Sequence, residues 1–155
     1  MKRKVILLIS VLILLFICLI AIYRIHKALT EPADVEVNVN MPKVVKVNEE
    51  FNIDVIIKNK AEKTEEFHGL DIDKDLIKSL KIMESKPNFQ SAYIGKATGN
   101  QVYKYYLPLP GKNETSVSLK ARIIEPGLIQ GKLTIFINSR ANPYPHRFEI
   151  EANAN

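Results

Sequence analysis

Residues Val5 to Tyr23 read VILLISVLILLFICLIAIY, a run whose single polar side chain is Ser10 and which carries no charge. Core helices of folded domains usually show a polar stripe, and this run has none. As a helix rising ~1.5 Å per residue it would measure about 28 Å, close to the ~30 Å hydrocarbon core of a bilayer. A cleaved signal peptide has an apolar stretch of roughly 7–15 residues and then a small-x-small site. Here the run is longer, and Tyr23-Arg24-Ile25-His26-Lys27 follows it. Ile17 is bulky where a lipoprotein signal places a small residue before its cysteine, so Cys18 does not fit that pattern either. The expectation is a retained transmembrane helix, with the membrane contacted through residues 5–23.

Lys2, Arg3 and Lys4 precede the run; Arg24 and Lys27 follow it. The positive-inside bias then favours a single-pass protein of the cell membrane, N-terminus cytoplasmic and C-terminal domain extracytoplasmic. The same residues explain the net charge of +5. Residues 1–27 hold five basic side chains and no acid, and the remaining 17 basic residues meet 17 acidic ones. A nucleic-acid partner wants a basic face on the folded domain, and the neutral remainder argues against one. The only cysteine, Cys18, falls within the run. The C-terminal part therefore has no disulfide and must be held by its core, for which about 120 residues suffice.

The expected organisation is a basic tip and transmembrane helix at 1–24, a short linker at 25–33, a folded domain at 34–152 and a tail at 153–155. From Asp34 the hydrophobic period becomes two. Val35, Val37 and Val39 alternate with Glu36, Asn38 and Asn40, and Phe51, Ile53, Val55 and Ile57 share one face of the next long segment. Tyr103, Tyr105 and Leu107 face one way, with Lys104 and Tyr106 opposite. Leu107-Pro108-Leu109-Pro110-Gly111-Lys112-Asn113-Glu114 reads as a loop of turn formers. Val117, Leu119, Ala121 and Ile123 alternate with Ser116, Ser118, Lys120 and Arg122; Glu125-Pro126-Gly127 turns the chain. Leu133, Ile135 and Ile137 form another stripe, and Arg147 to Glu151 closes the series after Asn142-Pro143-Tyr144-Pro145. Only Asp73 to Leu80 suggests a helical turn. The fold class is all-β, an Ig-like antiparallel β-sandwich of about seven to nine strands behind one transmembrane α-helix.

Val45 to Asn59 (VKVNEEFNIDVIIKN) resembles the opening of Ig-like bacterial and archaeal domains of the CARDB type, with an acidic turn, an alternating strand and a terminal asparagine. Leu109-Pro110-Gly111 with the strand after it looks like their proline-glycine turn, and Glu125-Pro126-Gly127 with Gln130 to Ile135 looks like their last hairpin. The resemblance covers roughly Val35 to Ile150. It implies adhesion, scaffolding or binding outside the cell, and no catalytic motif.

Asp71, Asp73 and Asp75 form D-x-D-x-D, but the sixth and twelfth positions of a calcium loop are Leu76 and Ile82 instead of glycine and glutamate. Acids on the wet side of a strand end are the simpler reading, an irregular calcium site the alternative. His68 and His146 have no cysteine partners in the domain, and no nucleophile elbow is present. No catalytic residue, cofactor or metal ligand is assigned. Tyr106 and Leu109 are the candidate partner-binding surface, because an exposed tyrosine beside a Leu-Pro-Leu-Pro loop offers contact area with a polar tip. The expected function is a non-enzymatic, membrane-anchored binding, adhesion or assembly module whose partner is another envelope or surface protein. The alternative is an accessory subunit of a multi-protein envelope or secretion complex.

Overall fold

A computed structural model describes residues 2–30 and 34–154, with side chains for all of these except 2–8, 24 and 26–30. The chain divides into two compact units, Met1–Pro32 and Ala33–Asn155.

The first unit contains one helix, α1 (Lys2–Thr30). Its described side chains from Ile9 to Tyr23 are all exposed, the free Cys18 among them. Among the described residues no helix is long and apolar enough to cross a membrane. The side chains of Val5–Leu8 and the basic flanks Lys2–Lys4, Arg24 and Lys27 lie outside the described ones, so the expected span is only partly covered. The linker expected at 25–33 is helical as far as Thr30. Nothing from Ile25 to Thr30 breaks a helix, and the first restriction on the backbone comes at Pro32.

The second unit is a two-sheet β-sandwich. Its strands are β1 (Val35–Asn40), β2 (Val44–Lys46), β3 (Glu50–Asn59), β4 (Glu65–Ile72), β5 (Leu80–Lys86), β6 (Ser91–Ile94), β7 (Gln101–Leu109), β8 (Glu114–Ile123), β9 (Gly127–Ile137) and β10 (Pro143–Asn153). Ten strands among the described residues exceed the expected seven to nine, because β2 and β6 are short additions at the edges. One sheet runs β1-β3-β8-β5 and the other β2-β10-β9-β4-β7-β6. Neighbours are antiparallel except β2 and β10, which are parallel. A 3-10 turn at Leu76–Lys78 leads into β5, where the sequence suggested a helical turn.

The period-two pattern fills the space between the sheets. Ile53, Val55 and Ile57 from β3 and Val117, Leu119, Ala121 and Ile123 from β8 meet Phe67, Leu70, Ile72, Leu133, Ile135 and Ile137 from the other sheet. Each fully buried aliphatic side chain contributes about 1.5–3 kcal/mol. A bond between hydroxyls joins the sheets through this core. The Ser85 hydroxyl donates to Pro87 O at 2.6 Å, so the Tyr105 hydroxyl, 2.6 Å away, is the donor to Ser85 Oγ.

Arranged by sheet, the strands follow the immunoglobulin plan, with β1-β3-β8-β5 in one layer and β10-β9-β4 at the centre of the other. The chain order departs from it. After β4 the chain crosses to the far edge as β5, and only then adds β6 and β7 beside β4.

Three local expectations change. Glu125-Pro126-Gly127 joins β8 to β9 in opposite sheets, so it is not part of a hairpin; the last hairpin is β9–β10. β10 starts at Pro143 and runs through Pro145, where a break was expected. Ile137 N–H reaches Asn142 O, so the bonded β9–β10 pairs alternate past both prolines, and β2 covers β10 only from Glu151 onward. The missing N–H of each proline therefore points to a free edge. Finally, β7 continues to Leu109, shortening the expected loop.

Candidate binding face

The site is built on the outer face of the six-stranded sheet, and a double irregularity at its centre shapes it. Between Phe67 and Gly69, β4 slips register against both β7 and β9. Gly69 is required there, because a Cβ would lie 2.3 Å from Tyr103 O. Across the slip, Tyr106 adopts φ 54°. The bulge re-aims the flanking side chains. Tyr106 lands edge-on to His68, ring centroids 4.6 Å apart. Lys104 Nζ lies 5.9 Å from the Tyr106 ring centroid and 5.5 Å from that of Tyr93 on β6. Its hydrogen bond to the Tyr106 side chain is the main cause that raises the Lys104 ammonium above the ordinary lysine value, with Tyr93 contributing less. His68 Nδ1 stands 3.5 Å from Glu66 Oε1.

Beside this aromatic group the face is closed over a carboxylate. Asp71 is 3% exposed between its strand neighbours Val102 and Thr134. Arg140, from the β9–β10 loop, bonds Asp71 Oδ2 and lies 4.7 Å above the Phe136 ring. Asp71 Oδ1 is buried without a hydrogen-bond partner. The loop is held down by Asn138, whose amide side chain donates to Glu65 Oε2 and accepts from Glu66 N–H. Asn138 takes φ 61°, a conformation asparagine tolerates better than most residues.

The expected partner surface of Tyr106 and Leu109 comes apart on this geometry. Tyr106 is half-buried on the outer face. Leu109 is 1% exposed and packs in the core, while its carbonyl accepts from Asn59 Nδ2 at 2.8 Å. It offers nothing to a partner, because β7 extends two residues beyond the expected Leu107 and alternation turns Leu109 inward. Asn59, the asparagine that ends the CARDB-like segment, is itself structural: it also donates to Lys63 O and accepts from Ala61 N–H.

The three aspartates are likewise dispersed. Asp71 is committed to Arg140, Asp73 Oδ1 accepts from Asp75 N–H, and Asp75 pairs with Lys78 at 3.3 Å. Among the described residues no three metal-ligating side chains cluster. Asp73 and Asp75 border an open groove of about 660 Å³, where Lys132, Arg147 and Glu149 also stand. His146 is on β10 opposite Leu133, away from the bulge that carries His68. The Asp71–Arg140 pair escapes a reading of the sequence, because nothing local links Asp71 to a residue 69 positions later.

No family model matches the chain, and no curated protein matches it. Similar solved structures include the CARDB domain of a Pyrococcus furiosus protein in complex with di-metal ions, at 15% identity and TM-score 0.44, over 79% of this chain and 90% of that one. A sporulation control protein from Bacillus subtilis is similar at 10% identity and TM-score 0.49, over 79% of this chain and 50% of that one. A cohesin module from a Clostridium perfringens family 33 glycoside hydrolase is similar at 9% identity and TM-score 0.45, over 79% and 99% of the two chains.

Proposed function

We propose that this chain is a single-pass protein of the cell membrane, N-terminus inside, whose second unit is an Ig-like, CARDB-like binding or adhesion module without catalytic activity. Its partner is another envelope or surface protein. The observation that carries the binding role is the outer face at Tyr93, Lys104, Tyr106 and His68, where rings and a cation gather on a side of the sheet that the hydrophobic core does not use. Tyrosines of this kind give large contact area and a polar tip. The anchor reading rests on the uncharged run Val5–Tyr23 and its basic flanks.

Two measurements test it. A photo-crosslinking side chain placed at Tyr106 should give a discrete product with another membrane or surface protein, whereas one at Lys58, on the opposite sheet, should give none. Equal products at both positions, or none at Tyr106, would overturn the binding face. Alkaline extraction should leave the full chain in the membrane pellet, and release into the supernatant would overturn the anchor.

A further inference from the structure

Four strands form the outermost edges of the two sheets, β1 and β5 in one and β2 and β6 in the other, and the stretch of β10 that β2 leaves open carries Pro143 and Pro145. Exposed edges are templates for pairing with another chain, and proteins blunt them with charge, proline, bulges or brevity. Three of these edges are blunted. β1 carries Glu36, ion-paired to Lys60 at 2.9 Å. β5 carries Lys81, Glu84 and Lys86 and slips register between Ile82 and Glu84. β2 is three residues long, follows Pro42-Lys43 and ends on Lys46. β6 is different. Ser91-Ala92-Tyr93-Ile94 has no charge, no proline and no slip against β7, and all of it is exposed, Tyr93 by 41% and Ile94 by 51%.

The ladder shows which backbone groups are free. Gly95 N–H donates to Asn100 O at 2.8 Å, and bonded pairs recur at every second position of an antiparallel ladder. Tyr93–Val102 and Ser91–Lys104 are therefore the bonded pairs, and Ala92 and Ile94 turn their N–H and C=O groups away from β7.

We propose that β6 pairs antiparallel with β6 of a second copy of this chain, about a two-fold axis through Tyr93. In that register Ala92 faces the copy's Ile94 and Ile94 faces the copy's Ala92. The two pairs exchange hydrogen bonds that satisfy every outward group of both strands. A register centred on Ala92 would instead set Ile94 against Gln90, whose N–H already donates to Lys104 O. Centring on Tyr93 brings the two Tyr93 rings side by side on the outer face, as a close non-bonded pair.

A second copy is favoured over a foreign strand by the charge pattern. In a two-fold pair the residue on the axis meets itself and every other side chain opposes one drawn from the same short segment, so charge of a single sign there would meet its like. Residues 91–95 hold no charge at all; Ser91 opposes Gly95, and the first cation, Lys96, opposes Gln90. A strand shaped for a foreign partner has no such requirement. The pairing extends the six-stranded sheet across two chains and does not depend on whether α1 crosses a bilayer.

Disulfide trapping in the full chain, solubilised in detergent, tests the register. In a Cys18→Ala background, Tyr93→Cys places two thiols opposite each other at a Cα separation of about 4.5 Å, within disulfide range. Ile94→Cys places them too far apart, and Lys58→Cys on the other sheet reports random collision. Mild oxidation should yield a dimer at Tyr93→Cys on the order of tenfold above the other two, judged on a non-reducing gel. Adding Ala92→Pro, which removes only an outward N–H, should abolish that dimer while circular dichroism keeps the β signal. Equal crosslinking at all three positions, no dimer at Tyr93→Cys, or a dimer indifferent to Ala92→Pro would each overturn the proposal.

Discussion

The outer faces of the two sheets obey the same alternation and are used in opposite ways. On the four-stranded sheet, Glu50 sits between Arg122 at 3.1 Å and Lys120 at 3.5 Å, Glu84 reaches Lys120 and Lys86, and Ser118 donates to Asp54. Glu50, Glu84 and Lys120 are all reached by water, so this is a solvated ladder that keeps the sheet soluble and contributes little to stability. On the six-stranded sheet, Val102, Thr134 and Asp71 lie buried on what would otherwise be the wet side, closed over by the β9–β10 loop through Arg140. One face is a surface; the other has been built over. The difference teaches that outward parity in a strand does not mean exposure once a loop returns across it.

The largest effect should come from opening the built face. Arg140→Ala leaves the Asp71 carboxylate buried without its counter-charge. Breaking a fully buried pair costs about 3–5 kcal/mol, and because Arg140 is 40% exposed we expect about 2–3 kcal/mol in urea unfolding. Adding Asp71→Val, which gives Val102 and Thr134 an apolar neighbour, should recover most of that loss. If Arg140→Ala alone costs no more than a surface substitution, the built face is no different from the ladder.

The parts of the fold governed by local period were legible from the residues, and those governed by distant contacts were not. β1, β3, β8 and the stripe of β9 follow from alternating Val, Ile and Leu, because a half-buried strand needs only period two. Pro143 and Pro145 read as a break, since proline's missing N–H matters only if that side of the strand is paired, and pairing is a property of the sheet. Leu109 read as loop for a related reason: Pro108 and Pro110 flank it, yet β7 carries through to bury it. Tyr106 was placed on the outer face by simple parity. Lys104 shares that face by the same parity, whereas the contact with His68 depends on a bulge that only Gly69 hints at.

A smaller effect should come from the hydroxyl bond that ties β5 to β7 across the two sheets. Tyr105→Phe removes the donor to Ser85 Oγ while Ser85 keeps its bond to Pro87 O, so the expected loss is about 1 kcal/mol at neutral pH. Burial pushes the Tyr105 hydroxyl up to about 12. The unfolded phenol ionises near 10. Between those values the unfolded chain releases a proton that the folded one keeps, so stability falls as pH rises from about 10 towards about 12. Tyr105→Phe should flatten that alkaline decline in a pH series of melting curves, although Tyr103, also raised by burial, will retain part of it. An unchanged decline would show that Tyr105 is solvated and that its hydroxyl does not join the sheets.

The smallest effect belongs to the ladder, and its sign with pH is opposite. Arg122, by hydrogen bonding, and then Lys120, by its charge, hold the Glu50 carboxyl below the usual glutamate value. A carboxylate lowered in this way stabilises the fold fully above its unfolded pKa, near 4.5, and loses that contribution as pH falls through the lower folded value. Because Glu50 is open to water, Lys120→Ala should leave the unfolding midpoint unchanged at physiological salt. A difference should emerge only in low-salt buffer above that pH, where screening no longer hides it. If Lys120→Ala instead destabilises at high salt as strongly as Arg140→Ala does, the ladder is a structural network and the contrast between the two faces fails.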